Sequence, residues 1–381
     1  MRRTTLGLVV ITLVGACSGK TLELAPTAPE TSLPPMDAGV GASTGPGLSA
    51  CPVPDAAASA ANSGGPGPGD AALDALPEGG ASGCGTGKIL CQGACVEPTS
   101  ATCSPTVTVV ASNQDMPWGI AIGANGLYWT LNTGAGAVMW SGKNCDSPTQ
   151  LISNQANLTT VAVDSTNVYW GSGSVLAREA LDGGAITYID QNGAVSIAQD
   201  AKNLYWITNA TNGVSQAPKA GGTPVVLAEN LTPSVNDVAV DATTVYWTGG
   251  QQGGTVSAIP IGGGVITVLA SSQAYPAGIA VDSTNVYWAD FLDGTVHSVP
   301  KAGGEVRTLT DQAGGDLFLT LDGSTLYWTS YTTGGVMKMP VSGGTPTMIA
   351  TGQNQPVMVV VDELSAYWTN AGGGQVLRAP K

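Results

Sequence analysis

A Tyr-Trp dipeptide recurs seven times along the 381 residues, and this repeat constrains the fold more than any other feature of the sequence. Successive copies are 41, 36, 41, 41, 40 and 40 residues apart, so that seven of the nine Trp occupy one repeat position. A fixed period of this length indicates similar supersecondary units that bury their apolar faces against one another. The copies begin at Tyr128, Tyr169, Tyr205, Tyr246, Tyr287, Tyr327 and Tyr367.

Each repeat contains four short apolar runs separated by Gly, Asp and Asn turns. In the fifth copy the runs are residues 278–282, 285–289, 294–299 and 306–310. No stretch has the 3.6-residue period of a long amphipathic helix, and four short strands per repeat are typical of a propeller blade. Because neighbouring side chains of a strand point to opposite faces, Tyr and Trp make both faces apolar, as expected for a sheet between two neighbouring blades.

The outer strands predict how the ring closes. Seven runs resemble the fourth strand of a blade. The first of them, residues 106–112, stands before the first repeat, whereas the last repeat ends at its third run, residues 374–378, and lacks a fourth. We therefore expect residues 107–111 to complete the last blade, because this joins the chain ends and leaves the ring without an open edge. The sequence predicts an all-β fold, a seven-bladed β-propeller of four-stranded blades over residues 104–381, preceded by a disordered tether.

The fifth repeat shows a resemblance to a known family. Residues 276–282 read Pro-Ala-Gly-Ile-Ala-Val-Asp, residues 287–290 read Tyr-Trp-Ala-Asp, and Gly-Thr-Val follows at 294–296. This pattern resembles the YWTD family of β-propellers and their NHL and Vgb-like relatives over residues 104–381. Eukaryotic YWTD domains have six blades, so the resemblance implies the fold and not receptor-type ligand binding. The fourth motif residue is Asp only at Asp290, and elsewhere it is Leu131, Ser172, Thr208, Gly249, Ser330 or Asn370.

Residues 1–16 have the organisation of a secretory signal. Two arginines precede an apolar run of eleven residues, 6–16, whereas a membrane-spanning helix needs about 20. The run ends in Val-Gly-Ala-Cys, which resembles the bacterial lipobox and implies that Cys17 is acylated and anchors the chain in a membrane. Ser18 is not the Asp that retains some lipoproteins at the inner membrane, so we expect the outer membrane or cell surface of a Gram-negative bacterium. The alternative is an ordinary signal peptide in which Cys17 is a coincidence.

Residues 17–83 combine the lipidated cysteine with a linker. About two thirds of residues 18–83 are Pro, Gly, Ala or Ser, and none is aromatic. Such a segment cannot bury enough apolar surface to offset the entropy of ordering, so we expect a disordered tether. All 21 aromatic residues lie at or beyond Trp118, which places the packed domain after the tether.

Six cysteines remain besides Cys17, and an even number in an exported chain suggests disulfides, with 15 connectivities that the sequence leaves open. Four of them fall within residues 84–103, which resemble a shortened cysteine-rich module of the stigma-specific type found in bacterial surface lipoproteins. A zinc site is the less favoured alternative, because spacings of six, three and seven residues have no His nearby. Cys51 and Cys145 then remain as a candidate pair. The six disulfide candidates are Cys51, Cys84, Cys91, Cys95, Cys103 and Cys145.

The repeats contain little that predicts catalysis. His297 is the only histidine, in the third strand of the fifth blade, and no partner that would make it a general base is evident. No Gly-x-Ser-x-Gly elbow, His-Glu-x-x-His motif or phosphate-binding Gly loop occurs, and the Gly-Gly pairs recur as turns. We therefore predict no catalytic residue and no cofactor. The counterparts of His297 in the other blades read as packing residues: Met139, Leu176, Ser215, Ser257, Met337 and Leu377.

Acidic residues outnumber basic ones by 27 to 13, which argues against a nucleic-acid partner held through its phosphates. Lactonases on related propellers bind calcium or zinc in the central channel, and Asp115, Asp237 and Asp316 are the acids near the starts of inner strands. No metal site is predicted, but a lactonase-like hydrolase or lyase with a metal in the channel remains the alternative function. Five further aspartates fit turn caps better than metal ligands: Asp164, Asp241, Asp282, Asp322 and Asp362.

The loops that join the fourth strand of one blade to the first strand of the next each carry a carboxamide. In a propeller these loops share one face with the loops between the second and third strands. The alternative to a binding role is that the amides cap turns and bridge adjacent blades. The sequence favours a surface-anchored lipoprotein that presents the propeller as a binding scaffold for a glycan or protein ligand. The expected ligand-binding residues are Tyr275, Phe291, Tyr331, Asp290, Asp293, Gln273 and Gln312.

Overall fold

The computed structural model describes residues 89–91, 94–96, 107–143, 147–208, 210–232 and 234–381, without the side chains of the first six or of residues 316 and 317. The predicted signal sequence, the Cys17 lipidation site and the tether lie outside the described residues, as do Cys51, Cys84, Cys103 and Cys145. Within the predicted cysteine-rich module, β1 (Ile89–Cys91) pairs antiparallel with β2 (Ala94–Val96). In the described part of the chain no helix is long and apolar enough to cross a membrane.

Seven four-stranded antiparallel sheets form the propeller, and their inner strands contact one another all around the ring. The predicted all-β, seven-bladed fold is therefore confirmed. From inner to outer strand, blade 1 is β4 (Pro117–Gly123), β5 (Gly126–Leu131), β6 (Val138–Ser141) and β7 (Thr149–Ile152); blade 2 is β8 (Leu158–Val163), β9 (Asn167–Ser172), β10 (Leu176–Ala180) and β11 (Thr187–Asp190); blade 3 is β12 (Ile197–Gln199), β13 (Asn203–Thr208), β14 (Gly213–Pro218) and β15 (Val225–Ala228). Blade 4 is β16 (Val235–Val240), β17 (Thr244–Gly249), β18 (Gln252–Pro260) and β19 (Thr267–Ala274); blade 5 is β20 (Pro276–Val281), β21 (Asn285–Asp290), β22 (Thr295–Pro300) and β23 (Arg307–Thr310). Blade 6 is β24 (Asp316–Asp322), β25 (Thr325–Ser330), β26 (Gly335–Pro340) and β27 (Thr347–Ala350); blade 7 is β28 (Pro356–Val361), β29 (Ser365–Asn370), β30 (Gln375–Pro380) and β3 (Thr108–Ala111).

The strands alternate in direction, so the connections divide between two faces of the ring. We call the loop face the one that carries the connections from the second to the third strand and from the fourth strand to the next blade. The turn face carries the turns from the first to the second strand and from the third to the fourth.

The ring closes as the repeat predicts. Although β3 precedes blade 1 in the sequence, it pairs antiparallel with β30 of blade 7, with Val109 opposite Leu377. Val110 and Ala111 of the same strand are buried. The first and last strands of the propeller thus share one sheet, and the removal of either strand exposes apolar residues of the other.

Each interface between blades is built from the Tyr of one blade and the Trp of the next. Tyr287 of blade 5 and Trp328 of blade 6 belong to one buried cluster, for example. The dipeptide therefore packs on both neighbours at once, because its two side chains lie on opposite faces of the sheet. The other six interfaces contain Tyr128 with Trp170, Tyr169 with Trp206, Tyr205 with Trp247, Tyr246 with Trp288, Tyr327 with Trp368, and Tyr367 with Trp129.

A β-bulge shifts the pairing of the third and fourth strands in every blade. In blade 5 it makes Leu309 the extra residue, so that this side chain is buried beside its neighbour Thr310. The pairing of the second and third strands also differs in one blade from the sequence-based alignment. The predicted counterpart of His297 in blade 2 was wrong, because Ala177 and not Leu176 lies opposite Trp170, where the connecting loop is short.

A latch made of Tyr, Asp and Lys joins neighbouring blades on the turn face. Asp241 of blade 4 caps its own turn, accepts a hydrogen bond from Tyr246 Oη at 2.9 Å and pairs with Lys301 of blade 5 at 2.8 Å. The position of Lys301 is occupied by Lys in blades 1, 3, 5 and 7. In blades 2, 4 and 6 it is occupied by an apolar residue that packs in the interface, namely Leu181, Ile261 and Val341. The turn caps predicted for the aspartates are confirmed at Asp164, Asp241, Asp282 and Asp362. The other Lys–Asp pairs are Lys143 with Asp362, Lys219 with Asp164, and Lys381 with Asp322.

The latch predicts a dependence of stability on pH. Burial alone raises the pKa of Asp241, but hydrogen bonds from Lys301, the main chain of Thr243 and Tyr246 lower it to about 2. Because this pKa lies below the value of about 3.9 expected in the unfolded chain, the latch stabilises the fold above pH ~4 and its contribution is lost as the pH falls towards 2. Lys301→Met should therefore lower the free energy of unfolding by about 1 kcal/mol at pH 7 and have almost no effect at pH 2. Urea unfolding across this pH range measures the difference.

The matched control is Lys202→Met. Lys202 is exposed on the same face and forms no ion pair with a described residue. We expect its replacement to change stability by less than about 0.5 kcal/mol at either pH. A loss for Lys301→Met that is the same at pH 2 and pH 7 would contradict the latch.

Candidate functional site

The candidate site lies on the loop face around blade 5. The loop before this blade carries Tyr275, and the loop between its second and third strands carries Phe291 and Leu292. Their main chains are hydrogen-bonded, because Phe291 N donates to Tyr275 O at 2.9 Å and Leu292 N donates to Ala274 O at 3.1 Å. The structure thus brings together the two kinds of loop that were expected to share a face.

An aromatic pair stands at the centre of this arrangement. The rings of Tyr275 and Phe291 meet edge to face, with centroids 5.5 Å apart and an interplanar angle of 62°. Leu292 beside them is 54% exposed, so the pair borders apolar surface that is open to solvent. Tyr275, Phe291 and Leu292 are called the aromatic patch below. Tyr331 lies in the corresponding loop of blade 6 and, among the described residues, makes no ring contact with the patch.

The backbone of Tyr275 is strained. Its φ of 67° lies in the left-handed region, which a bulky side chain rarely adopts, and the following Pro276 favours extended conformations instead. The equivalent residues before blades 1, 2 and 7 are Met116, Asn157 and Gln355, with φ of 49°, 53° and 55°. Such strain persists where the surrounding structure enforces it, often at binding sites. In this loop it accompanies the placement of the Tyr275 ring against Phe291.

Asp290 lies beneath the two loops. Its side chain is almost fully buried; Oδ2 accepts a hydrogen bond from Ala274 N at 2.9 Å, while Oδ1 has no hydrogen-bond partner in the described structure. Burial raises the pKa of Asp290 to about 6, with a smaller contribution from the charge of Asp293, against the opposing hydrogen bond from Ala274. Asp290 therefore ties the Tyr275 loop to blade 5 and changes charge in the weakly acidic range.

His297 has a partner that sequence reasoning missed. The imidazole Nε2 lies 3.6 Å from Asp290 Oδ2 and 2.6 Å from Thr295 Oγ1, and the ring stacks on Trp288 at a centroid distance of 5.3 Å. Burial lowers the pKa of His297, and Asp293 raises it to a smaller extent. The signal was present in the repeat, because Trp288 pairs with His297 and Asp290 with Thr295 across two antiparallel strands. Residues 290 and 297 are therefore diagonal neighbours on one face of the sheet.

The carboxamides of the interblade loops mostly serve the tryptophans. Gln273 accepts a hydrogen bond from Trp288 Nε1 at 3.0 Å and donates to Ser271 O at 2.6 Å, so that both ends of its amide are engaged. Gln114, Gln155 and Gln353 accept from Trp129, Trp170 and Trp368 in the same way. Gln312 differs, because Trp328 donates to the main chain of Ala313; Gln312 N donates to Thr310 Oγ1, and the side-chain amide of Gln312 has no hydrogen bond among the described residues.

A cleft of about 450 Å³ adjoins the aromatic patch between blades 5 and 6. Its volume lies within the usual range for small-ligand sites. Asp293 accepts hydrogen bonds from Thr295, whereas the exposed Asp311 has neither a hydrogen bond nor an ion pair among the described residues. The structure therefore brings Phe291, Asp293 and Gln312 together at one cleft. The lining consists of Phe291, Leu292, Asp293, Gly294, Asp311, Gln312, Gly314, Gly315 and Thr332.

Asp237 is a partly buried carboxylate on an inner strand of the ring. Asp237 on β16 accepts hydrogen bonds from Ser196 Oγ at 2.6 Å and from Ile279 N at 3.1 Å, and so connects blade 4 with blades 3 and 5. Desolvation raises the pKa of Asp237 to about 6 despite these hydrogen bonds. Asp115 is exposed in the loop before blade 1, away from this contact. Among the described side chains, which exclude that of Asp316, no three His, Cys, Asp or Glu residues are grouped closely enough to hold a metal ion.

A larger cavity, of about 850 Å³, lies on the turn face between blades 2 and 3. Three of its charged residues have partners, because Lys219 lies 3.5 Å from Asp164 and Arg178 donates to Lys219 O. Sequence reasoning did not predict this cavity. Its charges serve the contact between the two blades, and we assign no ligand to it.

Solved structures with a similar fold include two lyases. The virginiamycin B lyase of Staphylococcus aureus has a TM-score of 0.63 and 12% identity, over 72% of this chain and 99% of that chain. A streptogramin B lyase structure has a TM-score of 0.61 and 11% identity, over 72% of this chain and 96% of that chain. The nidogen/laminin complex has a TM-score of 0.47 and 20% identity, over 58% of this chain and 91% of that chain, a likeness too low to bear on function. No protein-family model and no curated protein sequence matches the chain. The two lyases support a Vgb-like seven-bladed propeller, and at these identities they show the fold alone.

Proposed function

We propose that this chain is a surface-anchored lipoprotein whose propeller is a binding scaffold for a glycan or protein ligand, held at the aromatic patch. The observation that carries the proposal is the pair of Tyr275 and Phe291, which a strained backbone holds beside exposed Leu292. Aromatic rings with neighbouring polar groups suit both sugars and peptide side chains. Because both rings stand on loops tied to rigid strands, the surface is formed before a ligand arrives, which reduces the entropy lost on binding.

In this proposal the N-terminal segment anchors the propeller, and with it the aromatic patch, at a membrane. The lipobox-like residues before Cys17 support acylation, and acyl chains at about 0.8 kcal/mol per buried methylene hold a protein at a membrane. If residues 18–83 form the flexible linker that their composition predicts, its r.m.s. end-to-end distance would be roughly 45 Å. The propeller would then stand clear of an outer membrane or cell surface, with the loop face accessible to partners outside the cell.

A propeller hydrolase or lyase is the second candidate. The similar solved lyases and the approach of His297 to Asp290 Oδ2 at 3.6 Å favour it. Against it, the imidazole stacks on Trp288 and its side chain is only 12% exposed, so it is poorly placed to reach a substrate. Opening of virginiamycin B by the purified chain, and loss of that reaction in His297→Ala, would favour the enzyme.

The proposal is tested on intact bacteria that make the full chain. Fluorescent glycan and peptide libraries should include ligands that bind these cells, and Phe291→Ala should reduce that binding at least about tenfold, because it removes one ring of the pair. Cys17→Ser should abolish cell-surface binding, because the side chain that carries the acyl groups is gone. Flow cytometry measures bound ligand, and an antibody against the propeller measures the amount displayed.

The matched control is Leu364→Ala. Leu364 is 79% exposed and lies on the turn face, so its replacement should leave both display and ligand binding unchanged. Equal binding by Phe291→Ala and Leu364→Ala cells would contradict the aromatic patch. Display of Cys17→Ser at the wild-type level would contradict the lipid anchor.

A further inference from the structure

We propose that the ligand of the loop face is a cationic segment of a protein, with Lys or Arg side chains that enter the cleft between blades 5 and 6. The inference rests on the proposed function and names the chemistry of its ligand. It is carried by the acids of the loop face, which has no basic residue in its described connections, together with the aromatic wall of the cleft.

The described basic residues of the propeller lie in strands or on the turn face. Nine of the 13 Lys and Arg lie in the described residues, and all nine are in strands or in the turns of the turn face. None lies in a described connection of the loop face. Four of them form ion pairs with aspartates of the turn face. The nine are Lys143, Arg178, Lys202, Lys219, Lys301, Arg307, Lys338, Arg378 and Lys381.

The loop face carries acids without counter-ions. Asp115, Glu229, Asp293 and Asp311 lie in its described connections, and none of them forms an ion pair with a described residue. These four carboxylates are exposed and have no basic residue beside them in the described connections, so they give the loop face a negative potential. Such a surface attracts cationic partners and repels nucleic acid and acidic proteins.

The cleft concentrates this potential beside apolar surface. Asp293 and Asp311 line it, and no Lys, Arg or His does. Asp290, next to Phe291, adds a buried carboxyl group whose Oδ1 atom has no partner in the described structure. The ring of Phe291 and the exposed side chain of Leu292 form an apolar wall. A Lys or Arg side chain satisfies both features, because its methylene stem packs on apolar surface while its charged end meets carboxylates or an aromatic face.

The shape of the cleft favours a protein segment over a free amine. Gly294, Gly314 and Gly315 leave part of the lining without side chains. At Gly315 the chain has a φ of 44°, and an added Cβ would lie 2.5 Å from Thr332 Oγ1. Only glycine therefore lets the main chain approach Thr332 this closely. An extended main chain can approach such a surface closely while alternate side chains reach the cleft and the aromatic patch.

The test compares blocked heptapeptides that differ only at alternate positions, with Lys, Gln or Glu, together with spermine and maltohexaose. The detergent-solubilised full chain is titrated by calorimetry at about 50 mM salt. The Lys peptide should bind at least about tenfold more tightly than the Gln peptide, and the Glu peptide should not bind. Raising the salt to about 500 mM should remove most of this preference.

Two substitutions locate the site. Asp311→Asn keeps the size of an exposed side chain that forms no hydrogen bond or ion pair with a described residue, and it should weaken binding of the Lys peptide about five- to tenfold. The control is Glu363→Gln, an exposed acid on the turn face, which should leave the affinity unchanged. Equal losses of affinity for the two variants would show only a general attraction by net charge and would overturn the assignment of the cleft as the binding site.

The panel separates failure of this inference from failure of the proposed function. Binding of maltohexaose or the Gln peptide that is lost in Phe291→Ala would overturn the cationic ligand and leave the binding scaffold in place. If spermine bound as tightly as the Lys peptide, a free cation would suffice, and the proposal that the ligand is a protein segment would be overturned. If no probe binds and Phe291→Ala cells also retain the binding seen with libraries, both proposals fail.

Discussion

Replacing Trp288 with Ala should lower the free energy of unfolding by about 3–5 kcal/mol. The indole is fully buried against Tyr246 at the interface of blades 4 and 5, stacks on His297 and donates a hydrogen bond to Gln273 at 3.0 Å. Truncation leaves a cavity between two blades that cannot collapse without moving both, and it removes the donor of Gln273. Urea unfolding of the solubilised chain, followed by circular dichroism, measures the loss.

The matched control for this prediction is Tyr188→Ala. Tyr188 is also aromatic, but it is 52% exposed on the outer strand of blade 2 and lies outside the interblade clusters. We expect its replacement to change stability by no more than about 0.5 kcal/mol. A loss for Trp288→Ala as small as this would show that the indoles do not hold neighbouring blades together.

Deleting residues 104–112 should destabilise the propeller by about 3–5 kcal/mol, more than deleting the predicted tether, residues 18–83. The deletion removes β3, the outer strand of blade 7, and with it the hydrogen bonds to β30 and the burial of Val110 and Ala111. It also leaves Val376 and Leu377 at an open sheet edge. Differential scanning calorimetry of the two deletions compares them, and equal melting temperatures would contradict closure of the ring through β3.

A pair of point substitutions keeps this prediction testable if the deletion does not fold. Val110 is buried and Val109, its neighbour on β3, is 43% exposed. Val110→Ala should cost about 2 kcal/mol, whereas Val109→Ala should cost less than about 0.5 kcal/mol. Equal losses would mean that β3 does not pack into blade 7 as the structure shows.

The number of blades and the closure of the ring could be predicted because they follow from periodic patterns. Tyr287 and Trp288 are neighbours in the sequence, so the alternation of a strand alone places them on opposite faces. The unpaired run at 106–112 and the missing fourth run after residue 378 could be counted directly. The sharing of one face by Tyr275 and Phe291 then followed from the order of strands and connections.

The contacts within the candidate site were less accessible to sequence reasoning. Gln273 and Gln312 occupy similar loop positions, yet one amide receives the Trp288 indole and the other has no hydrogen bond among the described residues. Asp290 and Asp293 were grouped as ligand-binding acids, but only Asp293 lines the cleft, while Asp290 is buried beside His297. Each difference depends on which way a side chain turns within a loop, and no periodic pattern encodes that.

By itself the sequence determined a ring of seven blades joined by Tyr and Trp, because those features depend on repeat length and on the two-sided geometry of a strand. Only the tertiary structure decided which loop side chains meet, such as Gln273 with Trp288 and Tyr275 with Phe291. The physical reason is register: a β-bulge or a loop shortened by two residues moves every later side chain along the sheet, as at Ala177 in blade 2. Contacts between neighbouring strands and loops are therefore fixed by packing in three dimensions.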